Sequence, residues 1–149
     1  MIPKLLMAGF LLAHAAIHAG FVSPGPPATA GGPAWPFELG RSWILGPLGI
    51  RPDVARILGI AVVAGTLGGF ALAALAALGV ALAAIWPASV ALGALASIAL
   101  LGLYFHPWLV VGFAIDVALL WVVVVRNWAP DGPGVMSRVR GNTWRGRFR

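Results

Sequence analysis

Cysteine is absent from this 149-residue chain. That excludes disulfides, thiolate metal sites, iron–sulfur clusters and cysteine nucleophiles, and it leaves the compartment unreadable from redox chemistry. Acids are nearly as scarce. The four in the chain, Glu38, Asp53, Asp116 and Asp131, stand far apart in sequence and offer no obvious carboxylate pair for acid–base work. Neither a GxSxG elbow, a glycine-rich phosphate loop nor an HExxH helix is present, so ordinary hydrolase or phosphoryl chemistry is disfavoured and no catalytic residue is assigned.

Charge of either sign is also missing over long distances. Charged residues make up 9% of the chain, against about 25% in an ordinary soluble domain. From Ile57 to Val125 the only formally charged side chain is Asp116. With 60% hydrophobic residues and a mean hydropathy of +0.95, the chain reads as an all-α integral membrane protein. A bilayer core of about 30 Å needs about 20 apolar residues per helix, and four such stretches fit: about 5–22, 53–78, 88–105 and 107–125. Residues 1–128 thus form a four-helix transmembrane domain, with an outer loop over 23–52 and a basic tail over 129–149.

The breaks between stretches carry the turn chemistry. Ser23-Pro24-Gly25-Pro26-Pro27 closes the first, because proline fixes φ and removes the N–H that a continuing helix needs. A competing reading makes the first stretch a secretory signal peptide, with Lys4 as its basic start and Ala13-His14-Ala15 as a cleavage site. The loop that follows is too rich in proline to span lipid, where unsatisfied backbone groups are costly. Trp35, Phe37 and Trp43 suit the headgroup zone, and Phe37 to Leu48 reads as a broken helix along the surface. Pro52-Asp53 opens the second crossing, a proline in the first turn with an acid at the positive end of the helix dipole. Trp86-Pro87 and His106-Pro107 read as the two tight turns.

Arg138, Arg140, Arg145, Arg147 and Arg149 crowd a glycine- and proline-containing tail that is expected to be disordered or bound to lipid. A polybasic segment after a crossing is drawn to anionic lipid headgroups, and nucleic acid is not an expected partner. With Lys4 and Arg126 these outnumber Arg41, Arg51 and Arg56 in and near the loop. The positive-inside rule therefore puts both termini in the cytoplasm, most simply of a bacterial inner membrane.

In lipid no hydrophobic drive brings helices together, so contact depends on small residues. Ala61, Gly65, Gly69, Ala73 and Ala77 recur every fourth residue, and Ser89, Gly93 and Ser97 do the same on the third crossing. These ridges pack the two helices on each other or serve self-association.

Polar residues within the crossings are the remaining candidates for function. His14 and His18 share one helical face about 6 Å apart. His106 lies at the turn before the fourth crossing, so three histidines converge on one outer level if the topology holds. Imidazole is a ligand for transition metals and for haem, which makes His14 and His18 candidate metal ligands and all three candidate cofactor ligands. Imidazoles bonded to carbonyls or interfacial water are the structural alternative, and proton handling is a third. Asp116 is the sharper anomaly: an acid in mid-helix costs about 2.5–3.5 kcal/mol on insertion scales and calls for a partner such as His14, a hydroxyl or a carbonyl. Gly112, one turn away, leaves space beside it for a neighbouring helix, a water or a ligand.

Three functions of different kind are compatible with these residues. The first expectation is a non-catalytic accessory or assembly subunit packing against another membrane protein or a second copy. A haem- or metal-binding redox or sensing protein is the second, and a proton-coupled carrier with Asp116 as the titrating group is the third.

Overall fold

A computed structural model describes residues 1–23, 25, 30–32 and 35–130. The arginine-rich tail, including Arg138, Arg140, Arg145, Arg147 and Arg149, lies outside them. All regular structure among the described residues is helical, and four helices are long and apolar enough to cross a bilayer. Helix α1 spans Ile2–His18 and tightens into a 3-10 turn over Ala19–Val22. Helix α2 spans Pro52–Ala77, α3 Trp86–Leu103, and α4 Val110–Leu120, the last continuing through a π-helical turn at Trp121–Val125.

Two boundaries differ from the sequence expectation. Helix α1 begins at Ile2, since Pro3 sits in its first turn where no N–H is required. Trp86-Pro87 is not a turn: Pro87 occupies the first turn of α3 for the same reason, behind a 3-10 turn at Ala83–Ile85. The reversal is made earlier, at Gly79, which adopts φ +77°. The amide of Gly79 donates to the carbonyl of Ala76 at 3.1 Å and that of Val80 to Leu75 at 2.9 Å, the paired bonds of a Schellman cap.

The described part of 37–48 forms bends and turns rather than a broken helix. It folds back onto the end of α3, and the reason is a shortage of donors there. The last carbonyls of a helix have no partner of their own. Ser42 Oγ donates to the Leu103 carbonyl at 2.6 Å, and Trp43 Nε1 donates to the Gly102 carbonyl at 2.8 Å. The Ser42 hydroxyl also accepts from the amide of Leu45, and Leu39 is buried beneath. At the same end the Tyr104 hydroxyl donates to the carbonyl of Ala55, and burial pushes that phenol above its ordinary range.

Along the bundle α1 packs on α2, α2 on α3 and α3 on α4. The α2–α3 seam is made by the small-residue ridges. A Cβ placed on Gly69 would stand 2.6 Å from the Cα of Gly93, and one on Gly93 would meet the Phe70 ring at 2.8 Å. The ridge is engaged at one end only: Ala73 and Ala77 are buried with Gly69, Gly65 is half-buried against Ala96, and Ala61 is exposed. Outward-facing side chains include Leu5, Leu12, Ile57, Leu72, Leu95, Val111 and Trp121, all exposed. An apolar exterior of this kind is suited to lipid and unsuited to water.

The interior divides into two apolar clusters. One gathers Leu11, Phe70, Trp86, Val90 and Leu119; the other gathers Phe21, Leu39, Val63, Leu100, Tyr104 and Leu109. Every helix passes from one cluster to the other, and every helix carries a polar residue at the passage: His14 and His18, Thr66, Ser97 and Asp116.

Candidate functional site

The polar layer between the two clusters is dry. Asp116, Ser97 and Thr66 have no exposed surface, His18 is 2% exposed and His14 4%. The helical period explains how they arrive there. His14 and His18 fall on the face of α1 that also carries Leu11 and Ala15, and Ser97 lies one turn from Gly93 on the face turned to the centre.

Four of these groups form one chain of hydrogen bonds. His14 Nε2 lies 2.9 Å from Asp116 Oδ1. The other carboxyl oxygen, Oδ2, is 2.5 Å from Ser97 Oγ, which in turn is 2.6 Å from His18 Nε2. His18 Nδ1 closes the chain on the backbone carbonyl of His14 at 2.9 Å. Thr66 stays out of it, donating instead to the Val62 carbonyl of its own helix. Phe70 from α2 seals the remaining side, its ring centroid 5.2 Å from that of His14.

Counting protons along this chain yields its chemistry. A carbonyl only accepts, so His18 Nδ1 carries a hydrogen. In neutral His18 the Nε2 atom is then a bare acceptor. Ser97 has one hydroxyl hydrogen and two neighbours, Asp116 Oδ2 and His18 Nε2, so a second hydrogen has to come from one of them. The chain is satisfied in two ways: with a protonated Asp116 and neutral His18, or with an ionised Asp116 and a His18 imidazolium. Both have no net charge when His14 is neutral. The two forms differ by one proton passed through Ser97.

No known family, curated protein or solved structure matches the chain. The site therefore stands on its own geometry.

The same side chains bear on cofactors. His14, His18 and Asp116 each offer a ligand atom, all within 4.8 Å of one another, a donor set of two imidazoles and a carboxylate that suits a transition metal. Both Nε2 atoms are already engaged by protein partners, so a metal or a haem iron enters only by breaking the chain of bonds. His106 takes no part. Its Nδ1 accepts from the amide of Trp108 at 3.3 Å and its ring faces that of Trp108, which makes it the cap of the turn that opens at Pro107.

Ser97 stands in the sequence as one of a packing ridge; in the fold its hydroxyl is the joint between His18 and Asp116. A hydroxyl recurring in phase with Gly93 was the available signal. Phe70 carried none, being one apolar residue among many. The space left by Gly112 is taken by α3: a Cβ there would meet Leu101 at 3.3 Å.

Proposed function

We propose that the chain is an integral membrane protein that takes up, holds and hands on a proton at the buried centre formed by His14, His18, Ser97 and Asp116. The observation that carries this reading is the hydrogen that the Ser97 junction requires beyond its own. Ionisable residues inside a membrane helix bundle are costly to bury, and proton relays are among the roles that account for them.

The transfer balances. The Oδ2–H bond of Asp116 breaks as an O–H bond forms on Ser97, and the former Ser97 hydrogen forms the Nε2–H bond of His18. Asp116 is left as a carboxylate and His18 as an imidazolium, each offsetting the other's burial. In this reading the four helices cross the bilayer with both termini in the cytoplasm, because Lys4 and Arg126 flank the ends and the basic tail follows. The traffic is the proton itself, since a filled centre offers a larger solute no passage.

Proton flux into sealed phospholipid vesicles under an imposed pH difference, read with an entrapped dye, tests the proposal. Flux with the native chain and its loss in Asp116→Asn are expected. Equal flux in both overturns it.

A second reading, an accessory subunit, has one observation in its favour. Of the four candidate spans, Pro107–Val125 is the least covered, 22% buried against 33–44% for the others. A membrane partner packing on Val110, Phe113, Val117 and Trp121 would cover it. Crosslinking from Val117 in native membranes decides this, and crosslinks to lipid alone would rule it out.

A further inference from the structure

We infer that the cavity beyond Phe21 is the water-filled port through which the buried centre exchanges its proton, with Phe21 as the barrier between port and His18. This rests on the proton-bearing reading of the centre and adds the side and the residue that govern access.

Three observations meet here. Phe21 follows His18 by three residues in the 3-10 turn Ala19–Val22, a spacing that sets two residues on the same side of the turn. A cavity of about 520 Å³ lies on the far side, lined by Phe21, Ser23, Phe37, Glu38 and Arg56 among others. Phe21 itself is buried, held by edge contact with Phe37 at 5.2 Å between ring centroids. The opposite side of the centre is faced by the other apolar cluster. There Leu11, Phe70, Ala73, Val90, Ala94 and Leu119 belong to one continuous apolar cluster.

Charges are distributed to match. Around the centre the titratable groups are His14 and His18 from α1 and Asp116 from α4, while α2 and α3 contribute only Thr66 and Ser97. At the port stand Glu38 and Arg56, both exposed, with Arg41 3.9 Å from Glu38. A carboxylate and hydroxyl-bearing mouth can hold the water that delivers a proton, and Phe21, with the apolar cluster it belongs to, separates that water from the first imidazole.

The test is hydrogen–deuterium exchange of the centre in the full chain, reconstituted in phosphatidylcholine vesicles. Infrared absorption of the Asp116 carboxyl, identified by its loss in Asp116→Asn, and nitrogen resonances of His18 together report where the proton sits. In Phe21→Ala, exchange is expected to quicken at least about tenfold, and in Phe21→Leu by about threefold, because local opening sets the exchange rate. Leu11→Ala, an equally buried truncation on the other side, is expected to leave the rate within about twofold. Equal acceleration by the Phe21 and Leu11 variants, or none by either Phe21 variant, overturns the port while the centre stands. A centre with neither a protonated carboxyl nor an imidazolium overturns the proton-bearing reading and the port together.

Discussion

Two pairs of helices in this bundle are joined by opposite means. Helices α2 and α3 approach until backbone meets backbone, with Gly69 against Gly93 and no polar side chain required between those two residues. Helices α1 and α4 are bridged instead by His14 and Asp116, whose side chains reach across at 2.9 Å. The first seam owes its contact to what is missing, the second to what is costly to leave alone. An apolar seam tolerates only changes that keep it thin, whereas a polar bridge tolerates changes that keep every donor facing an acceptor.

Breaking the thin seam has the largest expected effect. Gly69→Val forces two methyl groups into the Gly93 backbone, and we expect a loss of about 3 kcal/mol or failure to assemble, measured by thermal unfolding in detergent. Asp116→Leu is next: it leaves Ser97 and His14 with an unmet partner each, at a cost of about 1–3 kcal/mol by the same measurement.

Asp116→Asn sharpens the contrast. Its amide can donate to Ser97 while its oxygen accepts from His14, so it imitates the protonated acid; a stability change below about 1 kcal/mol is expected, with proton exchange at the centre abolished. A double-mutant cycle between His14→Ala and Asp116→Ala isolates the bridge, with an expected coupling of about 0.5–1.5 kcal/mol, in the range of polar contacts between membrane helices. The same cycle between Gly69→Ala and His14→Ala is expected to couple by less than about 0.5 kcal/mol if the two seams are independent.

The loop lies outside both seams. Ser42→Ala removes the donor to the Leu103 carbonyl and the acceptor of the Leu45 amide, and is expected to cost about 1 kcal/mol, seen first as faster amide exchange at Leu45.

How legible each region was follows from the range over which its cause acts. Four helices long and apolar enough to cross a bilayer can be read from runs of apolar residues, because length and hydropathy are properties of each segment separately. Helix ends are read less well: Trp86-Pro87 and His106-Pro107 look alike along the chain, and only the folded chain shows that the reversal before α3 is made at Gly79. The alignment of Gly69 with Gly93 is suggested by equal spacing on neighbouring helices. His106 shares its residue type and its expected outer level with His14 and His18 but not their surroundings: it caps the turn before α4 while they are buried in the bundle.

Composition and local order along the chain therefore determine the number of long apolar helices, the lipid-suited exterior they present and the polar residues within them that need partners. The partnership of those residues belongs to the folded bundle. His14 and Asp116 are separated by 102 positions, and His18 and Ser97 by 79. Helical periodicity sets direction around one axis only, while the rotation and depth of one helix against another are set by packing along the whole seam. That packing turns two histidines, a serine and an acid from four separate burdens into one hydrogen-bonded chain.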